Sequence, residues 1–382
     1  LRVGILGGGP AGLLTGARLA SGDADVTVFE EHREIGVPNH CTSVISRETL
    51  AEAGVDPERT VVSRLRGVQL GIPGGAVVRY KSDEVRALVI DRPSFDKELA
   101  LSFLKGGGEI ELGGRVEIEF NQRPHVLRAS DGKIEPDVLI DCGGAKSFLR
   151  RNPKAGSALS GVQFDVLDTD MERDVAEIWV DKRRNPDFFL WCVPVNSEVV
   201  RIGSAWRASP AEEMLMKFTM WRFGSAQVVS KYFGPLIVSG YLLPFFDGNA
   251  AFVGDSAGQT KPTTGGGLRY GLMAANLAAE ALLEASSLID VKNALSDYQR
   301  NWLGTWKREV DWQRSARRLF RLMGNDELNQ VLNWIKEEVI LPDLVEGGKL
   351  DHHASLLRIT SKKALLKSGL SVVRSLILGL SS

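Results

Sequence analysis

The stretch "LRVGILGGGPAGLLTGARLASG" at the start of the chain constrains its fold more than any other. A short apolar run leads into a glycine cluster and then into an apolar pattern with helical spacing. Gly7, Gly9 and Gly12 satisfy G-x-G-x-x-G. In that pattern the first glycine permits the tight turn, the second lets the backbone approach a pyrophosphate, and the third lets helix and strand pack closely. The helix start then presents free N–H groups to the phosphates. A second strand pattern, "DADVTVFEE", follows and carries Glu30 at its end, eighteen residues after Gly12. A carboxylate there accepts hydrogen bonds from both ribose hydroxyls and disfavours a 2′-phosphate. Strand, glycine turn, helix, strand and acid in this order predict a Rossmann-like unit that holds an adenine dinucleotide. This motif alone leaves both FAD and NAD open.

Composition narrows the rest. A chain of 382 residues with 40 glycines suits an α/β enzyme of one large domain or two to three interleaved ones. Net charge is −1 with both signs mixed along the chain, which gives no support to nucleic-acid binding. Cys41, Cys142 and Cys192 form neither an even disulfide framework nor a zinc spacing, so a reducing, cytoplasmic setting is expected, and His40 lacks a second ligand for a metal. The chain starts directly on a strand pattern, so no signal peptide is expected. No apolar run is long enough for a spanning helix.

Two distant stretches bear on the cofactor. "NAAFVGDSAGQTKPTTGGGLRYGLMAANLAAEALLEA" reads as a strand ending in Gly254-Asp255, a Pro-containing loop, the run Gly265, Gly266, Gly267, and a long Ala/Leu helix. It resembles the second flavin signature of FAD-dependent reductases and hydroxylases. The resemblance implies FAD, with Asp255 on the ribityl chain and the backbone of Gly265 to Leu268 close to the flavin. The helix start would favour a reduced, anionic ring edge. "ALVIDRPSFDKELA" is similar to the R-x-x-F-D segment of the same superfamily. It implies that Arg92 reaches the FAD while Phe95 and Asp96 hold the following helix. In "PDVLIDCGGAKSFLRR", Cys142-Gly143-Gly144 stand where Ala-Asp-Gly is usual, so Gly143 replaces an aspartate.

The turn "PNHCTSVIS", Pro38 to Ser46, resembles the P-x-x-C-x-x-x-(I/V/L)-S turn of geranylgeranyl reductases, with Thr42 and Ser43 departing from the usual residues after the cysteine. "FFLWCVPVNSEVVRIGSAW" resembles that family's aromatic-x-Trp-x-Phe-Pro segment. Trp191 and Pro194 match, Phe189 replaces Tyr, Val193 replaces Phe, and Gly203 and Ala205 stand at the glycine pair. The resemblance implies FAD contacts at Gly7, Gly9, Ala11, Gly12, Glu30, Cys41, Thr42, Val44, Arg92, Val116, Asp255, Gly265, Gly266, Gly267 and Leu268. It also implies substrate contacts at Phe189, Trp191 and Pro194. The implied activity is reduction of prenyl C=C bonds, with Cys41, or a water near it, on the proton side. The substrate would be a prenyl lipid, and the electron donor NAD(P)H or ferredoxin. The FAD motifs are shared with flavin monooxygenases and halogenases, and a non-catalytic electron-transfer flavoprotein docking on a quinone or redox partner is a further alternative.

The expected fold is α/β. A discontinuous FAD domain (1–62, 82–155, 246–303) carries an inserted antiparallel-sheet substrate domain (63–81, 156–245) and a helical carboxy-terminal domain (304–382). Trp179, Phe188, Phe189, Trp191, Trp206, Phe218 and Trp221 crowd the sheet region and suggest an apolar pocket suited to a prenyl chain. A basic amphipathic stretch at 362–380 either packs on the domain or makes a peripheral membrane contact.

Overall fold

The computed structural model describes residues 1–354, apart from 115, 120–123, 130–131, 168, 208–210, 225–226 and 286. The amphipathic stretch 362–380 therefore lies outside the described residues.

Strand Arg2–Leu6 forms the centre of a six-stranded sheet because its residues are apolar enough to be covered on both faces. The order is Phe246–Asp247, Ala250–Phe252, Val138–Asp141, Arg2–Leu6, Asp25–Glu30, Glu109–Leu112. All neighbours run parallel except the first pair. Register places Leu6 beside both Phe29 and Asp141, and Asp141 beside Phe252. The carboxyl ends of four strands thus meet on one edge, where open α/β sheets bind ligands. Helices Pro10–Ala20, Arg92–Lys105 and Leu268–Leu283 pack together against the sheet. Their core is led by Phe95, Phe103 and Tyr270, all fully buried.

A second, seven-stranded sheet has the order Gln227–Ile237, Ala158–Leu167, Val200–Trp206, Leu190–Pro194, Val175–Trp179, Gly67–Gly71, Val77–Lys81. It departs from the expected antiparallel sheet at one pair: Val175–Trp179 runs parallel to Gly67–Gly71. Those two strands are joined only through most of the nucleotide-binding half, and so long a connection allows the parallel arrangement that a hairpin forbids. A small three-stranded sheet, ordered Val44–Ile45, Ala87–Ile90, Val61–Leu65, lies between the two larger ones.

The seven aromatics do not share one face. Strand alternation sends Leu190 and Cys192 one way, with Trp179, Trp206 and Phe218, under helix Ala211–Phe223. Trp221 joins that side, its ring 5.2 Å from Trp179. Trp191 and Val193 point the other way, with Phe188 and Phe189, toward Val44 and Val89 of the small sheet. Trp179, Trp206 and Phe218 are ordinary core on that side, Trp221 stands exposed on the covering helix, and only the inner three face the nucleotide-binding half.

Helix Leu288–Leu322 has 35 residues, a length of roughly 52 Å. Its first half buries Tyr298, Trp302 and Trp306 against the nucleotide-binding half. Its far end reaches the antiparallel sheet, where Arg317 lies over the Phe188 ring. Among the described residues, no helix is long and apolar enough to cross a membrane.

Candidate functional site

The glycine loop behaves as its spacing requires. Gly7 has φ +100°, and a Cβ there would fall 2.5 Å from the Cys142 carbonyl oxygen. A Cβ on Gly12 would fall 2.1 Å from the Gly7 carbonyl oxygen. At Gly9 nothing lies within 4 Å of that position, so the loop is tight beneath and open above. Helix Pro10–Ala20 starts with no side-chain cap and no acid in its first turn. Its free N–H groups and positive dipole end are therefore available to an anion. Glu30 ends the second strand, its side chain 13% exposed. Its Oε2 accepts from Gly8 N at 2.7 Å and its Oε1 from His32 N at 2.9 Å, which holds the carboxylate beside the loop. These features fit an adenine dinucleotide.

At Gly143, where an aspartate is usual, a Cβ would fall 2.4 Å from Ser147 Oγ. The nearby Asp141 carboxylate turns back on this residue: its Oδ1 accepts from Gly143 N at 2.9 Å. Asp141 ends the preceding strand, and helix Gly144–Arg150 starts at Gly143 with no side-chain cap.

The three distant motifs converge. Gly254 has φ +75° and a Cβ there would touch Ala11 at 3.1 Å, so the Asp255 turn lies on the first helix. A Cβ on Gly267 would fall 2.5 Å from Asp255 Oδ1, which sets the carboxylate against the uncapped start of helix Leu268–Leu283. Gly265 has φ +68°, and a Cβ there would collide with Leu236 of the antiparallel sheet. Burial pushes the Asp255 carboxyl up to about 6, and Arg92 partly offsets this. Arg92 grips Asp96 through Nε at 3.1 Å and Nη2 at 3.0 Å, and Cys41 lies close enough to act on its charge. Burial works against that charge, yet Asp96 and Cys41 hold it above the ordinary arginine range. Phe95 and Asp96 are buried beneath it.

The cysteine turn is fixed from the antiparallel sheet. Gln163 Nε2 donates to the His40 carbonyl at 2.7 Å, and Thr42 Oγ1 donates to Gln163 Oε1 at 2.8 Å. Arg201 Nη1 donates to the Cys41 carbonyl at 3.1 Å. Arg201 is itself held by Asp165, through Nε at 2.8 Å and Nη2 at 2.9 Å, and Tyr232 Oη donates to the same carboxylate at 2.9 Å. Ser43 has φ +70°, and its N–H lies 3.2 Å from Cys41 Sγ. Burial, with help from His32 and Arg92, lowers the His40 imidazole below its usual range. Val44 opens the strand that follows the turn and packs with Trp191.

Trp191 lies over Gly203, where a Cβ would fall 2.4 Å from its ring. Phe188 stacks on Phe189 with centroids 4.4 Å apart and meets Trp191 edge-on at 6.3 Å. The Trp191 indole N–H is buried with no protein acceptor. Pro194 is not part of this group: by alternation it shares the face of Leu190 and Cys192. Val116 also stands apart, in a cluster with Phe29, Leu127 and Leu139 beside the second strand.

Sequence reasoning missed a buried lock behind the turn. Ser46 Oγ donates to Asp351 Oδ2 at 2.5 Å, Thr49 Oγ1 to the same atom at 3.2 Å, and Lys261 Nζ to Oδ1 at 2.9 Å. Burial works against the Asp351 charge, but Lys261 and the hydroxyls hold its carboxyl below the usual range. His353 bonds Thr263 at 2.7 Å, and burial pushes its imidazole down to about 4. A lysine inside an otherwise small and polar loop, "GQTKPTTGGG", is the one local sign that an acid must approach. Gln163, Asp165 and Arg201 were missed too, although polar residues alternating with apolar ones in "GVQFDVL" mark a strand face turned to something polar.

The fold and site define an α/β protein with a Rossmann-like nucleotide-binding domain. A family model for an NAD(P)-binding Rossmann-like domain matches residues 5–52. The chain is 28% identical to an uncharacterized protein of Methanocaldococcus jannaschii, over 98% of each chain. It is 27% identical to digeranylgeranylglycerophospholipid reductase 2 of Methanopyrus kandleri, over 95% of this chain and 97% of that one. A geranylgeranyl bacteriochlorophyll reductase-like protein of Thermoplasma acidophilum superposes with a TM-score of 0.83 at 19% identity, covering 98% of both chains. The resemblance to geranylgeranyl reductases carried by the cysteine turn and the tryptophan segment therefore extends over nearly the whole chain.

Proposed function

We propose that the protein is an FAD-dependent reductase that saturates C=C bonds of a polyprenyl chain, in a membrane lipid or its precursor. The observation that carries this reading is the seam between the two large sheets. Cys41, Arg92 and Asp255 meet there from three distant motifs, and the Gln163 and Trp191 face of the antiparallel sheet closes over the turn. The resemblance to the Methanopyrus reductase supports it.

In this reading the nucleotide-binding part is assembled from 1–62, 82–155 and 246–303. The glycine loop and the first helix hold the pyrophosphate, Glu30 the adenosine ribose, and Asp255 the ribityl chain. Thr42, Val44 and the backbone of Gly265 to Leu268 line the ring. When bound and reduced by the external donor, the flavin would supply the hydride that one alkene carbon takes. The other carbon takes a proton, which the Cys41 thiol or a water beside it provides. The Arg92 guanidinium is placed to compensate the charge left on sulfur until solvent returns the proton. Trp191 and Phe189 line an apolar surface that orients the chain and keeps water from the reacting bond. An external nicotinamide or ferredoxin restores the electrons.

The test uses photoreduced holoprotein under anaerobic conditions, mixed with a geranylgeranyl lipid. Reoxidation with a mass gain of two hydrogens per C=C supports the reading. Reoxidation that requires oxygen, with an oxygenated or halogenated product, replaces it with the monooxygenase class. No reaction with the lipid under either condition leaves electron transfer.

A further inference from the structure

A cluster of cations stands at the outer end of the aromatic row, and the site described above does not use it. Asp187 lies at its centre, 3.6 Å from Arg207 Nε and 3.7 Å from Arg321 Nε. Both contacts are longer than hydrogen bonds. Lys182 and Arg317 lie within electrostatic reach of the same carboxylate and of the other arginines. The next acid, Asp181, is already taken: it pairs with Arg184 and accepts from Arg183 N and Asn325 Nδ2. Lys182 Nζ also donates to the Pro186 carbonyl at 2.9 Å and lies 3.5 Å over the Phe320 ring. Four cations therefore face one carboxylate that the two nearest arginines do not hold at hydrogen-bond distance. Burial, with Arg317 and Arg321 repelling, brings the Lys182 ammonium down to about 8. Burial, with Arg321 and Arg207 repelling, brings the Arg317 guanidinium down to about 10. Bringing charges of one sign together without compensation is unfavourable, and an anion bound among them would relieve it.

The position of the cluster indicates which anion. The Arg317 guanidinium lies 5.5 Å over the Phe188 ring. Phe188 stacks on Phe189 and meets Trp191 edge-on. Trp191 adjoins Gly203 and Gln163, and Gln163 bonds the cysteine turn. A charged end, an aromatic row and the candidate reducing centre therefore follow one another without a break. A ligand that matches all three is an amphiphile with an anionic head and a long apolar chain. Arginine forks suit the tetrahedral, multiply charged head of a phosphate ester.

We propose that Lys182, Arg207, Arg317 and Arg321 form an anion subsite for the phosphate-bearing head of the polyprenyl substrate, with the chain running inward past Phe188 and Trp191. This rests on the reductase reading above.

The test compares geranylgeranyl diphosphate with geranylgeraniol, which has the same chain and no phosphate, on the holoenzyme and on Arg207→Gln/Arg321→Gln, the two exposed members. Binding is read by calorimetry and turnover by product mass. The subsite requires the ratio of KM for diphosphate to KM for alcohol to rise at least tenfold in the double variant, with the matching loss in diphosphate binding. An unchanged ratio overturns it. Inorganic pyrophosphate separates the two sources of the anion. Competition with the diphosphate lipid in the wild type, lost in the variant, supports a head-group site. Tight pyrophosphate binding that leaves lipid affinity unchanged overturns the head-group assignment in favour of a free-anion site. If the wild type reduces neither substrate, the reductase reading fails, while the binding arm still decides whether the cluster holds the phosphate.

Discussion

The Arg201–Asp165 pair offers a demanding test of how the cysteine turn is held. Both residues are buried, at 6% and 8% exposure, and their bond is bidentate. Replacing Arg201 with Gln removes two charge-assisted hydrogen bonds and leaves the Asp165 carboxylate inside the protein with only the Tyr232 hydroxyl donating to it. Breaking a buried pair from one side costs about 3–5 kcal/mol, mostly from the uncompensated charge. Asp165→Asn should cost less, since the amide keeps an acceptor for Arg201. The double variant, Asp165→Asn/Arg201→Gln, removes both charges and should lie at least about 1.5 kcal/mol above the sum of the singles, within the usual range for groups in direct contact. The assay is urea unfolding of the apoprotein by tryptophan fluorescence, because bound cofactor would add its own linkage. Arg201 also donates to the Cys41 carbonyl, so the single variant should lower turnover beyond its effect on flavin occupancy. A coupling below about 0.5 kcal/mol would refute the reasoning, since it would mean that the pair is hydrated rather than buried.

Three further outcomes follow from the site. Asp255, raised to about 6 from 3.8 by burial, makes folded apoprotein hold a proton that the unfolded chain releases. Its contribution of roughly 3 kcal/mol is present below pH 3.8 and lost as pH rises through about 6. If flavin binds the carboxylate form, affinity should be about tenfold weaker at pH 5 than at pH 7 and nearly flat in Asp255→Asn; a flat wild-type profile would contradict this. Trp191→Phe should reduce prenyl turnover more than flavin retention, and equal loss of both would make Trp191 a packing residue only. Cys41→Ser should keep the flavin and lose at least about tenfold in turnover, a barrier change near 1.4 kcal/mol, whereas normal turnover in Cys41→Ala would remove the thiol from the proton step.

What the sequence shows is chemistry that neighbouring residues settle among themselves. The turn at Gly7 and the close approach at Gly12 are local steric requirements, so their spacing announces them. The acid at Glu30 follows from the length of one helix and one strand. The lock at Asp351 does not. Its hydroxyl partner Ser46 is 305 residues away, and nothing in either segment specifies the other until the fold brings them together. The aromatics near the Trp191 strand show a different limit. Seven large rings in one region state that two faces will be buried, but only the order of strands and the covering helix decide which three turn inward. The replacement of the usual aspartate at Gly143 shows a third. Read residue by residue it is a loss, and only the fold shows that the Asp141 carboxylate turns back to accept from the Gly143 N–H. The cysteine turn combines all three cases. Its motif is local, but its carbonyls are held by Gln163 and Arg201 from the second sheet and its serine by Asp351 from the far end of the described chain. A turn fixed by these three residues is held to the second sheet and to the far end of the described chain at once. In the proposed reduction, a proton donor on that turn would need such constancy to meet both the alkene and the cofactor.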